Sequence, residues 1–172
     1  IVIGQPSLFS TAVNYPTGDP EQPSNSGLNA PLGVALDDKG DLYVADAGNG
    51  RVLRFPLPFD QPERTGLRAN LVVGQSNFSI KITDATRQNM NRPYGLAFTV
   101  EGHMLVSDSA HNRVLLFRKG AYGDFSNGMQ AAIVLGQRDF TSITPGTLDN
   151  NLNFPMHIAT DTDDRLYVCD AG

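Results

Sequence analysis

The 172-residue sequence contains no tryptophan and only one cysteine, Cys169. A single cysteine excludes an internal disulfide and a zinc site built from several thiolates. No segment approaches the roughly 18 consecutive apolar residues that a membrane-spanning helix requires, so no membrane span is expected. Lysine occurs only three times and the net charge is −5. This balance leaves no basic face for general nucleic-acid binding, and we expect no nucleic-acid partner.

What the sequence has instead is an internal repeat. One segment, three apolar residues followed by Gly-Gln, occurs three times, and a segment of the form Asn-x-Pro also occurs three times. The spacing from Pro31 to Pro93 is 62 residues, and from Pro93 to Pro155 it is again 62. An equal period over two motifs indicates a repeat architecture. The copies of the two segments lie at 1–5, 71–75 and 133–137, and at 28–31, 90–93 and 152–155.

Each unit consists of short β-branched or aromatic runs bounded by Gly, Asn, Asp or Pro, a pattern typical of β-strands. Four strands per unit at a fixed period indicate a β-propeller blade. A β-sandwich requires no such repeat, and a β-solenoid usually has shorter coils. We therefore predict an all-β chain forming one propeller segment over residues 1–172. It would comprise blades at 31–75 and 93–137, a partial blade at 155–172, and an unpaired outer strand at 1–5.

These two and a half to three blades are fewer than a closed ring needs. Propellers usually have four to eight blades, and a six-bladed ring at this period would take about 372 residues. Two explanations stay open: the chain is part of a longer protein, or several copies assemble into a ring or fibre. In both cases the expected partners of the exposed edges are further blades, either its own remaining ones or those of other copies.

The repeated residues resemble the NHL repeat. The resemblance rests on Pro-x-Gly-hydrophobic-Ala-hydrophobic-Asp, then Gly-Asp-Leu-Tyr-Val-Ala-Asp, then Gly-Asn-x-Arg-Val-Leu-x-Phe. A following Gly-Gln-x-x-Phe tail is similar to long-repeat NHL proteins of environmental bacteria. The resemblance implies a propeller fold, in a family that includes binding scaffolds, receptor sensor domains and a few lyases or lactonase-like enzymes. The matching stretches are Pro31 to Phe55, Pro93 to Phe117 and Pro155 to Asp170.

Two charged residues recur in register with the strands. An Asp ends the second strand of each unit, and an Arg opens the third strand five residues later. A carboxylate and a guanidinium across a tight connection can bond each other and the backbone of the turn. We predict a structural latch, rather than a ring of charge for a ligand, formed by Asp46, Arg51, Asp108, Arg113 and Asp170.

One residue departs from the repeat at a place where function is expected. His157 stands where the other units have Gly33 and Gly95, at the entrance to an inner strand that would face the central channel or its rim. A histidine there is able to bind a metal or exchange a proton near neutral pH; the alternative is a hydrogen-bonded rim residue. His157 is thus the one candidate metal ligand, for calcium or zinc in the channel, and no catalytic residue is predicted.

The long connections direct the functional expectation, because loops on a rigid scaffold commonly carry binding. We expect a non-catalytic binding or assembly scaffold that displays loops to a protein or glycan ligand. The resemblance implies a location that is extracellular, periplasmic or at the cell surface. One alternative is a metal-dependent lyase or lactonase-like enzyme with its site in the channel, and another is a structural subunit of an extracellular filament. The loops are Ser10 to Ser26, Phe59 to Asn70 and Tyr122 to Gln130.

Overall fold

The computed structural model describes residues 1–62 and 65–172 and consists of antiparallel β-sheets. The first sheet has the strand order β1-β2-β3-β4, the second has β5-β6-β7-β8, and the third pairs β9 with β10. We call these sheets blades 1, 2 and 3. The strands are β1 (Pro31–Leu36), β2 (Leu42–Asp46), β3 (Arg51–Phe55), β4 (Leu71–Val73), β5 (Pro93–Phe98), β6 (Met104–Asp108), β7 (Arg113–Phe117), β8 (Ile133–Leu135), β9 (Pro155–Thr160) and β10 (Leu166–Asp170).

The three blades are built alike down to the register of their strands. In each blade the first strand carries an irregularity, three residues long, just after its initial proline, as between Pro31 and Val34 in β1. A one-turn 3-10 segment joins the second and third strands of both complete blades, at Ala47–Asn49 and Ser109–His111. It ends in a residue with left-handed backbone, Gly50 in one blade and Asn112 in the other.

The first strands β1, β5 and β9 lie side by side, as the inner strands of a propeller do. Their approach is close: a Cβ placed on Gly33 would lie 2.0 Å from the carbonyl oxygen of Tyr94. A Cβ on Gly95 would lie 2.6 Å from the carbonyl oxygen of Met156. Only glycine fits such spacing. The predicted all-β, partial-propeller fold of four-stranded blades is confirmed, with the complete sheets ending at Val73 and Leu135.

Two of the hydrophobic clusters formed by the described residues lie between blades, and another lies on blade 1 itself. Side chains from blade 1 and blade 2 interleave in the largest cluster, where the ring of Tyr43 meets those of Phe98 and Phe125 edge-on, at 4.9 and 6.0 Å. A smaller cluster joins blade 2 to blade 3 around Leu105 and Ile158. Each blade is therefore stabilised mainly by its neighbours, as expected for a repeat protein.

Residues 1–5, all of them described, form no strand, contrary to the prediction of an outer strand there. The physical reason is that a strand requires a hydrogen-bonding neighbour, and among the described residues no strand pairs with this segment, whose Gln5 carbonyl accepts a backbone bond from the Gly66 N–H at 3.4 Å. Its position is nevertheless that of an outer strand. Gly4 packs on Leu28, as Gly74 packs on Met90 and Gly136 on Leu152 at the following blade. Ile3 lies against the apolar face of blade 1.

Within residues 1–62 and 65–172, no helix is long and apolar enough to cross a membrane.

Candidate functional site

The antiparallel connections divide the loops between two ends of the blades. The ends of β2 and β6 and the starts of β1 and β5 lie at one end, because Pro31 pairs with Asp46 and Pro93 with Asp108. We call this end the corner face. It carries residues 6–30, 47–50, 74–92, 109–112 and 136–154. The predicted loop Ser10 to Ser26 lies there. The predicted loop Tyr122 to Gln130 and the described parts of the loop Phe59 to Asn70 lie at the opposite end, and residues 63 and 64 of that loop lie outside the described residues.

The predicted latch residues of blade 1 are in contact. The Arg51 Nε donates to the Asp46 Oδ2 at 2.7 Å, and both side chains are fully buried. Asp46 also accepts hydrogen bonds from the Asn29 backbone N–H, at 2.6 Å, and from the Asn49 side-chain amide, at 2.7 Å. Burial raises the pKa of Asp46 above its usual value, and the Arg51 guanidinium and the two amide donors oppose that rise.

Arg51 ties three segments of the corner face together. Its Nη1 donates to the carbonyl of Phe78 at 2.6 Å, and its Nη2 donates to those of Ser24 and Gly27 at 2.8 and 3.2 Å. Phe78 ends the Gly-Gln-x-x-Phe tail that leaves blade 1, and Ser24 and Gly27 belong to the loop that enters it. Every nitrogen of this guanidinium is therefore used in a structural bond.

Blade 2 repeats this arrangement with one substitution. The Arg113 Nε donates to the Asp108 Oδ2 at 2.7 Å, and its Nη2 donates to the carbonyls of Thr86 and Asn89 at 3.0 and 2.9 Å. His111 takes the place of Asn49, with its Nδ1 at 2.9 Å from the Asp108 Oδ2. The side chain of His111 is buried, so its ring serves this hydrogen bond.

In blade 3 the fifth predicted latch residue stands apart. Asp170 is exposed and accepts one hydrogen bond, from the Asn153 N–H at 2.7 Å. The N–H of Asn153 corresponds in the repeat to those of Asn29 and Asn91, which bond Asp46 and Asp108. The entry of the chain into blade 3 is thus fixed as in the other two.

The loop of residues 10–27 lies in the first unit, where Gly4 and Gly74 are 70 residues apart, eight more than the period of 62, and the loop is held firmly. The fully buried Asn14 side chain donates to the carbonyls of Asp19 and Pro20 and exchanges hydrogen bonds with the Asn49 side chain. The Ser24 hydroxyl donates to the carbonyl of Tyr15 at 2.6 Å. Sequence reasoning identified this loop but missed Asn14, whose partner lies 35 residues away. The exposed residues of the loop tip are Pro16, Thr17, Gly18, Pro20, Glu21 and Gln22.

His157 lies on β9 with an exposed side chain. Its ring meets that of Tyr94 edge-on, with centroids 4.9 Å apart. Among the described residues, no group of three or more His, Cys, Asp or Glu side chains is arranged to hold a metal ion. The metal role of His157 stays a prediction. The hydrogen bonds of the other two histidines, His103 and His111, are made with other residues.

Comparison with known proteins identifies the repeat. Residues 28–55 match the family model for the NHL repeat, so the resemblance inferred from the sequence is confirmed over the first three strands of blade 1. No curated protein matches the chain significantly.

Solved structures show the same fold. Hydrazine synthase of Kuenenia stuttgartiensis is 12% identical with a TM-score of 0.50, over 96% of this chain and 33% of that one. A streptogramin B lyase is 12% identical with a TM-score of 0.47, over 81% and 34%. A virginiamycin B lyase from Staphylococcus aureus is 13% identical with a TM-score of 0.42, over 81% and 48%. The chain spans a third to a half of the length of these structures. At 12% identity, the likeness to hydrazine synthase concerns the fold alone.

Proposed function

We propose that this chain is a non-catalytic binding scaffold that recognises a protein or glycan through the corner face. The observation that carries the proposal is the role of the recurrent charged residues. They are buried and form hydrogen bonds with the loops that enter and leave each blade; these residues are Asp46, Arg51, Asp108 and Arg113. They hold the binding surface in shape and do not face solvent themselves.

A loop held in this way binds with a smaller loss of conformational entropy. Ordering a flexible loop upon binding costs about 0.5–1.5 kcal/mol per immobilised long side chain, and a preorganised loop avoids part of that cost. The tip of residues 16–22 is exposed, while Asn14 and Ser24 fix its two ends. Proline-rich, polar tips of this kind suit recognition of a surface. We further propose, from the resemblance to long-repeat bacterial proteins, that this recognition takes place outside the cytoplasm.

The test compares loop order with binding. The protein and an Asn14→Ala variant would be measured against an immobilised panel of purified extracellular polysaccharides and a displayed peptide library. Because Asn14 is buried, the variant leaves the exposed tip chemically unchanged but removes its support. We expect a selected ligand to bind the variant at least tenfold more weakly. An Arg118→Gln variant, at an exposed site at the opposite end of blade 2, is the matched control.

Two outcomes contradict the proposal: neither panel yields a ligand, or the selected ligand binds the Asn14→Ala variant unchanged. Thermal unfolding of each variant, followed by circular dichroism, shows that the blades remain folded.

A second candidate function, assembly with further blades, is favoured by the open faces. Val34 on β1 is 66% exposed, whereas its equivalent Leu96 on β5 is 8% exposed because blade 1 covers it. The side-chain oxygen of Gln5 is buried without a hydrogen-bond partner among the described residues. The equivalent amides of Gln75 and Gln137 donate to the corners of their own blades, at Gly50 and Asn112.

Sedimentation of the chain tests this second function. We expect a molar mass above that of one 18.6 kDa chain at about 100 µM protein, and a shift to the monomer in a Val34→Glu variant. A wild-type chain that sediments as a folded monomer at that concentration rules the assembly function out. The binding function depends on the corner face alone and is unaffected by either result.

A further inference from the structure

A recess lies on the corner face at the junction of blades 1 and 2. Its volume is about 310 Å³, which is within the range of small-ligand sites. Apolar side chains from β1 and the neighbouring loop and corner form one part of it, and polar and basic side chains from the connection between the two blades form the other. The residues that line it are Ala30, Leu32, Ala47, Gly48, Lys81, Thr83, Asn91 and Arg92.

The recess arises from the small residues of the first unit. One period later, at the junction of blades 2 and 3, larger side chains stand at two of the equivalent positions, Tyr94 for Leu32 and Ser109 for Ala47. The uncharged Ile143 stands there for Lys81. The first junction therefore combines more space with more positive charge than the second. This difference is local, because the strands of the two blades keep the same register.

Arg92 supplies a guanidinium at the edge of the recess. The described residues provide it with no ion pair, and the guanidinium carbon lies over the ring of Phe154, 5.8 Å from its centroid. Contact with an aromatic face leaves the N–H fork of an arginine free to bind an anion. A guanidinium held in this way is suited to two parallel hydrogen bonds with a carboxylate.

Lys81 connects the recess to the loop of residues 10–27. Its ammonium nitrogen is 2.7 Å from the Glu21 carboxylate and 3.3 Å from the Pro20 carbonyl. Glu21 therefore neutralises Lys81, and Arg92 is the basic group of the recess without an acidic partner in the described chain. The loop tip consequently lies next to the recess.

We infer that this recess binds a carboxylate carried on a short aliphatic group. Arg92 would pair with the carboxylate, and the side chains of Ala30, Leu32 and Ala47 would cover the aliphatic part. Two sources present this chemistry: a free short-chain carboxylic acid and the C-terminus of a peptide with an aliphatic last residue. The inference rests on the proposed binding function, for which it specifies part of the ligand.

The experiment uses matched probes that differ only in charge. N-acetyl-leucine and N-acetyl-leucinamide would be titrated into isotope-labelled protein, with amide chemical shifts as the readout. We expect the acid to perturb the signals of Ala47, Gly48 and Arg92, and the amide to bind at least tenfold more weakly. An Arg92→Gln variant should lose at least tenfold in affinity for the acid, and a control variant at an exposed arginine of the opposite end, Arg118→Gln, should lose none.

Two further probes distinguish the sources. If the peptide Ala-Ala-Leu with a free carboxylate binds at least tenfold more tightly than pentanoate, the site reads a peptide terminus; comparable affinities identify a free acid. Equal binding of the acid and the amide overturns the inference, as does unchanged affinity in Arg92→Gln or the absence of shifts around the recess at 50 mM probe. The outcome for the proposed function is separate, because that function depends on the loop tip. If the Arg92→Gln variant still binds a ligand selected from the panels, the proposed function is supported even where this inference is overturned.

Discussion

The same repeat position is buried in blade 1 and exposed in blade 3. Tyr43 on β2 is fully buried, because Phe98 and Phe125 of blade 2 pack against it. Tyr167 on β10, one hundred and twenty-four residues later in the repeat, is 56% exposed. The two strands have nearly the same sequence, Leu-Tyr-Val-Ala-Asp and Leu-Tyr-Val-Cys-Asp. The comparison shows that burial in this fold is conferred by the next blade and not by the strand that carries the residue.

The largest difference in stability between a covered blade and the open blade 3 should appear at the latch aspartates. Asp108→Asn weakens the buried contacts of Asp108 with Arg113 and His111, and leaves the arginine without its counter-charge. We expect a loss of about 3–5 kcal/mol in the free energy of unfolding. Asp170→Asn, at the exposed equivalent, should cost about 1 kcal/mol or less. Urea denaturation measures both, and equal losses would show that the blades do not differ.

The tyrosines provide the next contrast. Tyr43→Ala leaves a cavity between blades 1 and 2 and should destabilise the protein by about 3 kcal/mol. Tyr167→Ala removes a half-exposed side chain whose hydroxyl donates to Asp161 at 3.0 Å, and its cost should stay below about 1 kcal/mol. Thermal and urea unfolding of the two variants report the difference. A large loss for Tyr167→Ala would mean that the open face of blade 3 is covered in solution.

The inner strands offer a third contrast. Gly33→Ala places a Cβ 2.0 Å from a backbone oxygen of β5, so β1 and β5 must move apart. We expect a loss of about 2 kcal/mol. His157→Ala, at the same position of β9, should change the unfolding free energy by no more than about 0.5 kcal/mol. If Gly33→Ala proves neutral, the close spacing of the inner strands is incorrect.

The last contrast is a pH dependence confined to the buried tyrosine. Burial raises the pKa of the Tyr43 phenol to about 12, although Arg54 lies beside it. The unfolded chain loses this proton near pH 10, and the folded chain retains it to about pH 12. Stability contributed by the neutral phenol is therefore lost as the pH rises from 10 to 12, by about 2 kcal/mol. A Tyr43→Phe variant should lose less stability than the wild type over this interval, and a Tyr167→Phe variant should behave as the wild type does.

Much of the fold could be predicted from the sequence because the repeat shows each strand and turn pattern more than once. The period, the turn residues and the short β-branched runs together predicted four-stranded blades. The five-residue spacing of Asp46 and Arg51 likewise predicted a contact, because the two ends of a tight connection lie close together. Residues 1–5 have the sequence of an outer strand but form none, because no strand among the described residues pairs with them.

The rest of the site depends on contacts that a sequence pattern does not record. Arg54 reaches Asp124, 70 residues further on, and joins blade 1 to a loop of blade 2. The recess at the first junction exists because Leu32 and Ala47 are smaller than their equivalents, a difference whose meaning appears only when the blades are packed. Arg92 is an ordinary surface arginine in the sequence, and its position beside this recess follows from the junction.

The arginines that tie the corner face also separate the part of each loop that is free to vary from the part that is not. Arg51 holds carbonyls 27 residues before and 27 residues after itself, and Arg113 holds carbonyls at the same two separations. The eight extra residues of the first unit must therefore lie before Ser24, outside the fixed interval. A different segment between residues 6 and 23 would change the surface of the corner face without altering the blade beneath it. This stretch is therefore where a new binding specificity is most readily introduced, by grafting or by evolution.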